Sequence, residues 1–146
     1  MTGLAFVDTN LLVCRRDSSE PAKQPRAEEW MTFLWNGRSG RLSMQVLNEY
    51  YVTVTQKLKP GLDRESARDE IRSLFAWRPV PTHRLAVEGA WRIQDRYGLS
   101  IWDSLIVSAA LLAGCRFLLT EDLQDGQVLD GLRVVDPFAH RPEELE

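Results

Sequence analysis

Leu4-Ala5-Phe6-Val7-Asp8-Thr9-Asn10 decides the fold: four apolar residues end on an acid, and two residues suited to opening a helix follow. Successive side chains of a strand point to opposite faces, so an unbroken apolar run needs cover on both faces. The run predicts a buried strand over Leu4–Asp8 with a short helix, Asn10–Cys14, directly behind it. A strand that feeds straight into a helix begins a βαβ unit, and such units build parallel sheets.

Outward from that stretch the alternation continues. Arg15–Pro25 is polar, contains Pro21 and Pro25, and reads as a loop. Arg26–Trp35 reads as an amphipathic helix with Trp30, Phe33 and Leu34 on its apolar side and Asn36-Gly37 as its stop. Arg41–Met44 is expected as a second strand, and Val46–Leu58 as a helix ending before Pro60-Gly61. Asp63 caps a helix over Arg64–Trp77, and Val80 marks a weak strand between two prolines. Thr82 caps a helix that runs to Tyr97 and stops at Gly98. Ser100 starts Ile101–Ala113, and Arg116–Thr120 and Leu132–Val135 complete the strands. The pattern is α/β with a central parallel sheet, in one domain over residues 1–146. In such sheets functional sites form at the carboxyl ends of the strands.

Composition narrows the chemistry. The 146 residues carry 21 acids and 18 bases, a formal charge of −3, which argues against a purely electrostatic nucleic-acid binder. All the bases but Lys23, Lys57 and Lys59 are arginine, which suits bidentate phosphate contacts, although a GC-rich genome gives the same skew. Arg15 and Arg16, after the first helix, are weak candidates for phosphate contact and better suit a solvated surface. Cys14 and Cys115 sit in apolar surroundings without a CxxC spacing, which leads us to expect a reduced, cytoplasmic protein. No apolar run is long enough to span a membrane, and no signal peptide is apparent.

Four acids map to the sheet rim. Asp8 ends the first strand, Asp122 follows Arg116–Thr120 by two residues, and Asp103 and Glu49 are each expected in the first turn of a helix. The helix Ile101–Ala113 is apolar nearly all round, so it is expected to be buried, with Asp103 at its buried end. An acid there is costly unless paired or bound to a cation. Each acid also has a plain structural role open to it: Ser100-Ile101-Trp102-Asp103 fits a capping box, Asp8 suits an Asx-turn or cap, Glu49 a solvated helix acid, and Asp122 a turn. Their shared rim favours a divalent ion, and oxygen-only ligands favour Mg²⁺ or Mn²⁺ over Zn²⁺. The two histidines, His83 and His140, lie outside these segments.

At these residues the sequence resembles the PIN-domain nucleases, specifically the VapC-type toxins of bacterial toxin–antitoxin pairs. The resembling segments are Phe6-Val7-Asp8-Thr9-Asn10, Val46-Leu47-Asn48-Glu49, Trp102-Asp103-Ser104-Leu105-Ile106 and Leu118-Leu119-Thr120-Glu121-Asp122. The resemblance implies a three-layer α/β/α domain and one or two Mg²⁺ or Mn²⁺ ions held by Asp8, Glu49, Asp103 and Asp122. Thr9 and Thr120 match its supporting hydroxyls, and Asp125 competes with Asp122 for the fourth acid position. It further implies an RNA substrate cut through metal-activated water, a homodimer and a small antitoxin partner. Within the same fold, a housekeeping RNA-processing enzyme and a non-cleaving binding module are the alternatives.

Two other Mg²⁺-binding α/β modules fit poorly. A response-regulator receiver needs a lysine after its fifth strand, and no lysine follows Lys59; a haloacid-dehalogenase-type phosphatase needs an acid where Asn10 stands. The crowding of Trp30, Met31, Phe33, Leu34 and Trp35 on one helix suggests either a core helix or a partner surface for an antitoxin or a second copy.

Overall fold

The computed structural model describes residues 3–145. Strand β1, Leu4–Val7, lies between β2, Gly40–Arg41, and β3, Cys115–Leu119, all parallel. Beyond β3 the sheet continues with β5, Leu132–Val135, also parallel, and closes with β4, Val128–Leu129, antiparallel at the edge. The order is β2-β1-β3-β5-β4. Ala5, Phe6, Val7, Phe117, Leu118 and Leu119 are all buried, so neighbouring residues that face opposite ways both meet cover. Helices therefore pack on both faces, giving the three-layer α/β/α arrangement that the alternation predicts.

The helices are α1, Thr9–Cys14; α2, Gln24–Gly37; α3, Met44–Val52; α4, Arg64–Leu74; α5, Arg84–Tyr97; and α6, Ile101–Leu112. Several boundaries differ from those expected. The second strand stops at Arg41, because Ser43 caps α3, its hydroxyl accepting the Val46 N–H at 3.3 Å, which draws Met44 into the helix. α3 gives way at Thr53–Lys57 to a π-helical turn. Starting at Met44 also moves Glu49 to the second turn of α3 rather than the first.

Pro25 stands in the first turn of α2 rather than ending a loop, a position where proline's missing N–H costs nothing. His83, not Thr82, caps α5, its Nδ1 accepting the Ala86 N–H at 3.4 Å. Val80 makes a single parallel bridge to Ser43. The edge strand β4 was not expected, yet Asp130-Gly131 turns it back onto β5 with φ of 50° and 88°, the backbone a tight hairpin needs.

Two expectations about burial also change. α6 buries Ser104 through Ala110, but Trp102 is 67% exposed, so this helix is not covered all round. On α2, Trp30, Met31 and Leu34 enter the core, with the Trp30 indole N–H donating to the Pro137 carbonyl at 2.7 Å, while Trp35 stays 46% exposed. No helix among the described residues is long and apolar enough to cross a membrane.

Candidate active site

Strand register builds the centre of the site. Val7 pairs with Leu119, so the next residue on each chain, Asp8 and Thr120, stand together where both strands end. Thr120 is fully buried and Asp8 is 8% exposed. The Thr120 hydroxyl donates to Asp8 Oδ2 at 2.8 Å, and the Thr9 N–H donates to Asp8 Oδ1 at 2.7 Å. The same hydroxyl accepts the Asp122 N–H at 3.1 Å. One buried hydroxyl thus ties the acid after β1 to the loop after β3.

That geometry leaves Asp8 under strain of a purely electrostatic kind. Desolvation pushes its carboxyl up to about 6; the bonds from Thr120 and Thr9 oppose the rise, and the charges of Asp122 and Glu49 add to it. Asp122 is exposed as a residue, but partial desolvation of its carboxyl raises its pKa too, with Asp103 and Glu121 pushing the same way and Asn10 and Lys23 opposing. Asp103 is half-buried in the first turn of α6, where its N–H donates to the Ser100 hydroxyl at 3.1 Å. The cap uses the main chain of Asp103 and leaves the carboxylate for other work. Glu49 is exposed on α3 and accepts from the Gln45 amide at 3.0 Å.

The four acids come from four different segments, yet they feel one another: Asp8 with Asp122 and Glu49, and Asp122 with Asp103. Beside them the Thr9 hydroxyl and both polar atoms of the Asn10 amide are buried without a hydrogen bond of proper geometry, although the Asn10 side chain lies near enough to Asp122 to favour its charge. Mutually repelling carboxylates beside unsatisfied buried polar atoms form a surrounding that a hard cation stabilises. The donors are all oxygen, which fits Mg²⁺ or Mn²⁺. Among the described residues, no three acid, imidazole or thiol groups stand close enough together to hold an ion as they are. The donor chemistry nonetheless fits such an ion.

Other residues singled out from the sequence are engaged elsewhere. Asp125 accepts the Asp136 N–H at 2.9 Å through one oxygen and meets His140 Nε2 at 2.7 Å through the other, and these partners hold its pKa down. Arg15 and Arg16 both pair with Glu70, at 3.5 Å and 2.8 Å, and the Tyr50 hydroxyl donates to the same carboxylate at 2.7 Å. A cavity of about 570 Å³ lies by Arg116, Asp125, Arg133 and His140, but none of the four acids lines it, so its size has no bearing on this site.

Asn10, Glu121 and Lys23 also neighbour the acids, a placement that was not expected. Asn10 was within reach, two residues after Asp8 in the first turn of the helix that the acid caps. Lys23 was not: its Nζ meets Glu121 at 2.8 Å across 98 residues of chain, a pairing that no local spacing announces.

Comparison with known proteins agrees with this architecture. Among curated proteins none matches the chain by sequence. Three solved structures share its fold at low identity. A toxin–antitoxin complex from Klebsiella pneumoniae superposes with a TM-score of 0.64 at 18% identity, covering 91% of this chain and 97% of that one. FitAB bound to a DNA fragment gives 0.68 at 19%, covering 92% and 96%. The sarcin-ricin-loop-cleaving toxin VapC20 of Mycobacterium tuberculosis gives 0.61 at 20%, covering 81% and 91%. The model of the PIN domain matches residues 5–124, a span that takes in all four acids, and the chain belongs to the PIN-domain family.

Proposed function

We propose that this chain is a divalent-metal-dependent endoribonuclease and the toxin of a toxin–antitoxin pair, acting in the cytoplasm with Asp8, Glu49, Asp103 and Asp122 as its carboxylate set and Mg²⁺ or Mn²⁺ as its cofactor. The observation that carries the reading is Asp8: a buried carboxyl, fixed by two hydrogen bonds, kept costly by its surroundings and facing further acids. Cost of this kind without a compensating base marks functional sites. The toxin–antitoxin complexes among the structural neighbours support the partner, and a neighbour described as cleaving the sarcin-ricin loop supports the substrate class.

When bound, a divalent cation neutralises phosphate charge and acidifies a water for attack. The chain's residues do the positioning. Thr120 and Thr9 hold Asp8 in one orientation, so its oxygens need no reorganisation. Asp103 presents a carboxylate from a capped helix start. Glu49 contributes an oxygen or takes the proton of the attacking water, and Asp122 completes the set. Attack in line with the 3′ oxygen leaves a 5′ phosphate and a 3′ hydroxyl. A homodimer and an antitoxin complete the reading, with the exposed Trp35, its ring 5.7 Å from that of Trp77, as a candidate partner contact.

Controlled expression in a bacterial host tests this proposal. Wild type should arrest growth, and Asp103→Asn at equal abundance should not. Equal growth with both proteins, while the wild type is folded and abundant, contradicts the toxin reading.

A further inference from the structure

A second pocket flanks the acids, and its chemistry is the reverse of theirs. It measures about 420 Å³ and is lined by Lys23, Arg26, Glu29, Phe138 and Arg141 with Ala22 and Pro25. Three cations face one acid there, in a chain whose formal charge is −3. Glu29 forms an ion pair with Arg26, whose Nε lies 3.6 Å from an Oε1 that makes no hydrogen bond, and Arg26 also donates to the His140 carbonyl at 3.0 Å. Lys23 Nζ sits 5.0 Å from the centre of the Phe138 ring. Arg141 is exposed, and among the described residues its guanidinium has no ion pair. Cationic side chains around an aromatic ring are what single-stranded nucleic acid uses: phosphates meet the charges and a base stacks on the ring.

Position links this pocket to the acids. Lys23 Nζ lies 2.8 Å from the carboxylate of Glu121, the residue before Asp122. A strand leaving the acidic rim over Asp122 therefore reaches Lys23 next. We propose that the Lys23, Arg26, Phe138 and Arg141 pocket is a nucleotide subsite that takes a backbone phosphate and a base of single-stranded RNA adjoining the scissile bond. The proposal rests on the ribonuclease reading above, and it moves the phosphate contacts from Arg15 and Arg16, which Glu70 occupies, to this pocket. Lys23 is parked on Glu121 in the free protein and exchanges that carboxylate for a phosphate.

Fluorescence anisotropy with a labelled, mixed-sequence single-stranded oligoribonucleotide in EDTA tests the subsite apart from cleavage. Lys23→Gln and Arg141→Gln should each weaken binding about fivefold and flatten the dependence of log affinity on log salt by about 0.7, one phosphate contact each. Glu121→Gln, which frees Lys23, should tighten binding. Arg84→Gln, an exposed α5 arginine outside the pocket, should change nothing. Cleavage assays with metal should then show a raised KM for Lys23→Gln and for Arg141→Gln. Unaltered affinity and salt slope in both pocket variants overturns the subsite, even where wild type still cuts RNA. Unaltered RNA binding with loss of antitoxin binding hands the pocket to a partner protein and overturns it equally. Wild type that binds RNA through the pocket but never cuts would keep the subsite and remove the nuclease reading.

Discussion

Asp8 answers to two demands that oppose each other at neutral pH. As a cap, and as the metal ligand proposed for it, it must be ionised, and as a buried group it resists ionisation. Its folded pKa of about 6 lies above the ordinary value of 3.8, so the folded chain holds an extra proton between those limits. Stability from this group therefore falls as pH rises through that window, and the deficit above it is at most about 3 kcal/mol. Asp8→Asn should raise the unfolding free energy in EDTA at neutral pH by about 1–3 kcal/mol, and the gap from wild type should shrink toward pH 4. Denaturant titrations at several pH values check this; a variant less stable than wild type at neutral pH would mean that capping outweighs burial. Thr120→Val leaves Asp8 Oδ2 and the Asp122 N–H without their partner and should cost about 1–3 kcal/mol in the same measurement. At this scale Asp8 and Asp122 were legible as residues at strand ends. The hydroxyl joining them was legible only through the resemblance, because side-chain direction is not in the spacing.

Elements decide where the acids stand. Ser100→Ala removes the hydroxyl that receives the Asp103 N–H and should lower stability by about 1 kcal/mol, read as a lower melting temperature. If the carboxylate is the functional part of Asp103, this variant should keep the metal requirement of wild type. Gly40 in β2 has the Trp77 ring against it: a β-carbon there would meet ring atoms at 2.5–2.7 Å. Gly40→Ala should cost about 1–3 kcal/mol despite the gain in chain stiffness, because the buried indole has no room to retreat. The sheet's centre was readable since β1 and β3 are unbroken apolar runs. The β2–α3 junction was misread because Arg41-Leu42-Ser43-Met44 alternates like a strand, while the Ser43 hydroxyl, by capping, commits the chain to helix one residue later. β4 was missed since two residues carry no period, though the Asp130-Gly131 turn announced a hairpin.

At the scale of the whole molecule, charge is sorted into neighbouring fields. Four acids at the carboxyl rim repel one another, and beside them Lys23, Arg26 and Arg141 form a basic pocket in an acidic chain. Net charge alone hid this arrangement, since the contacts that build it join Lys23 to Glu121 and Arg26 to His140 across most of the sequence. The rim itself was legible, because a parallel sheet gathers strand ends whatever their separation along the chain. The most direct test of the account is cleavage of total cellular RNA by purified wild type and Asp8→Asn, each with Mg²⁺, Mn²⁺ or EDTA. Discrete fragments ending in 5′ phosphate, formed only with metal and only by wild type, are the predicted result. Fragments formed equally by both proteins, or undiminished in EDTA, would contradict it.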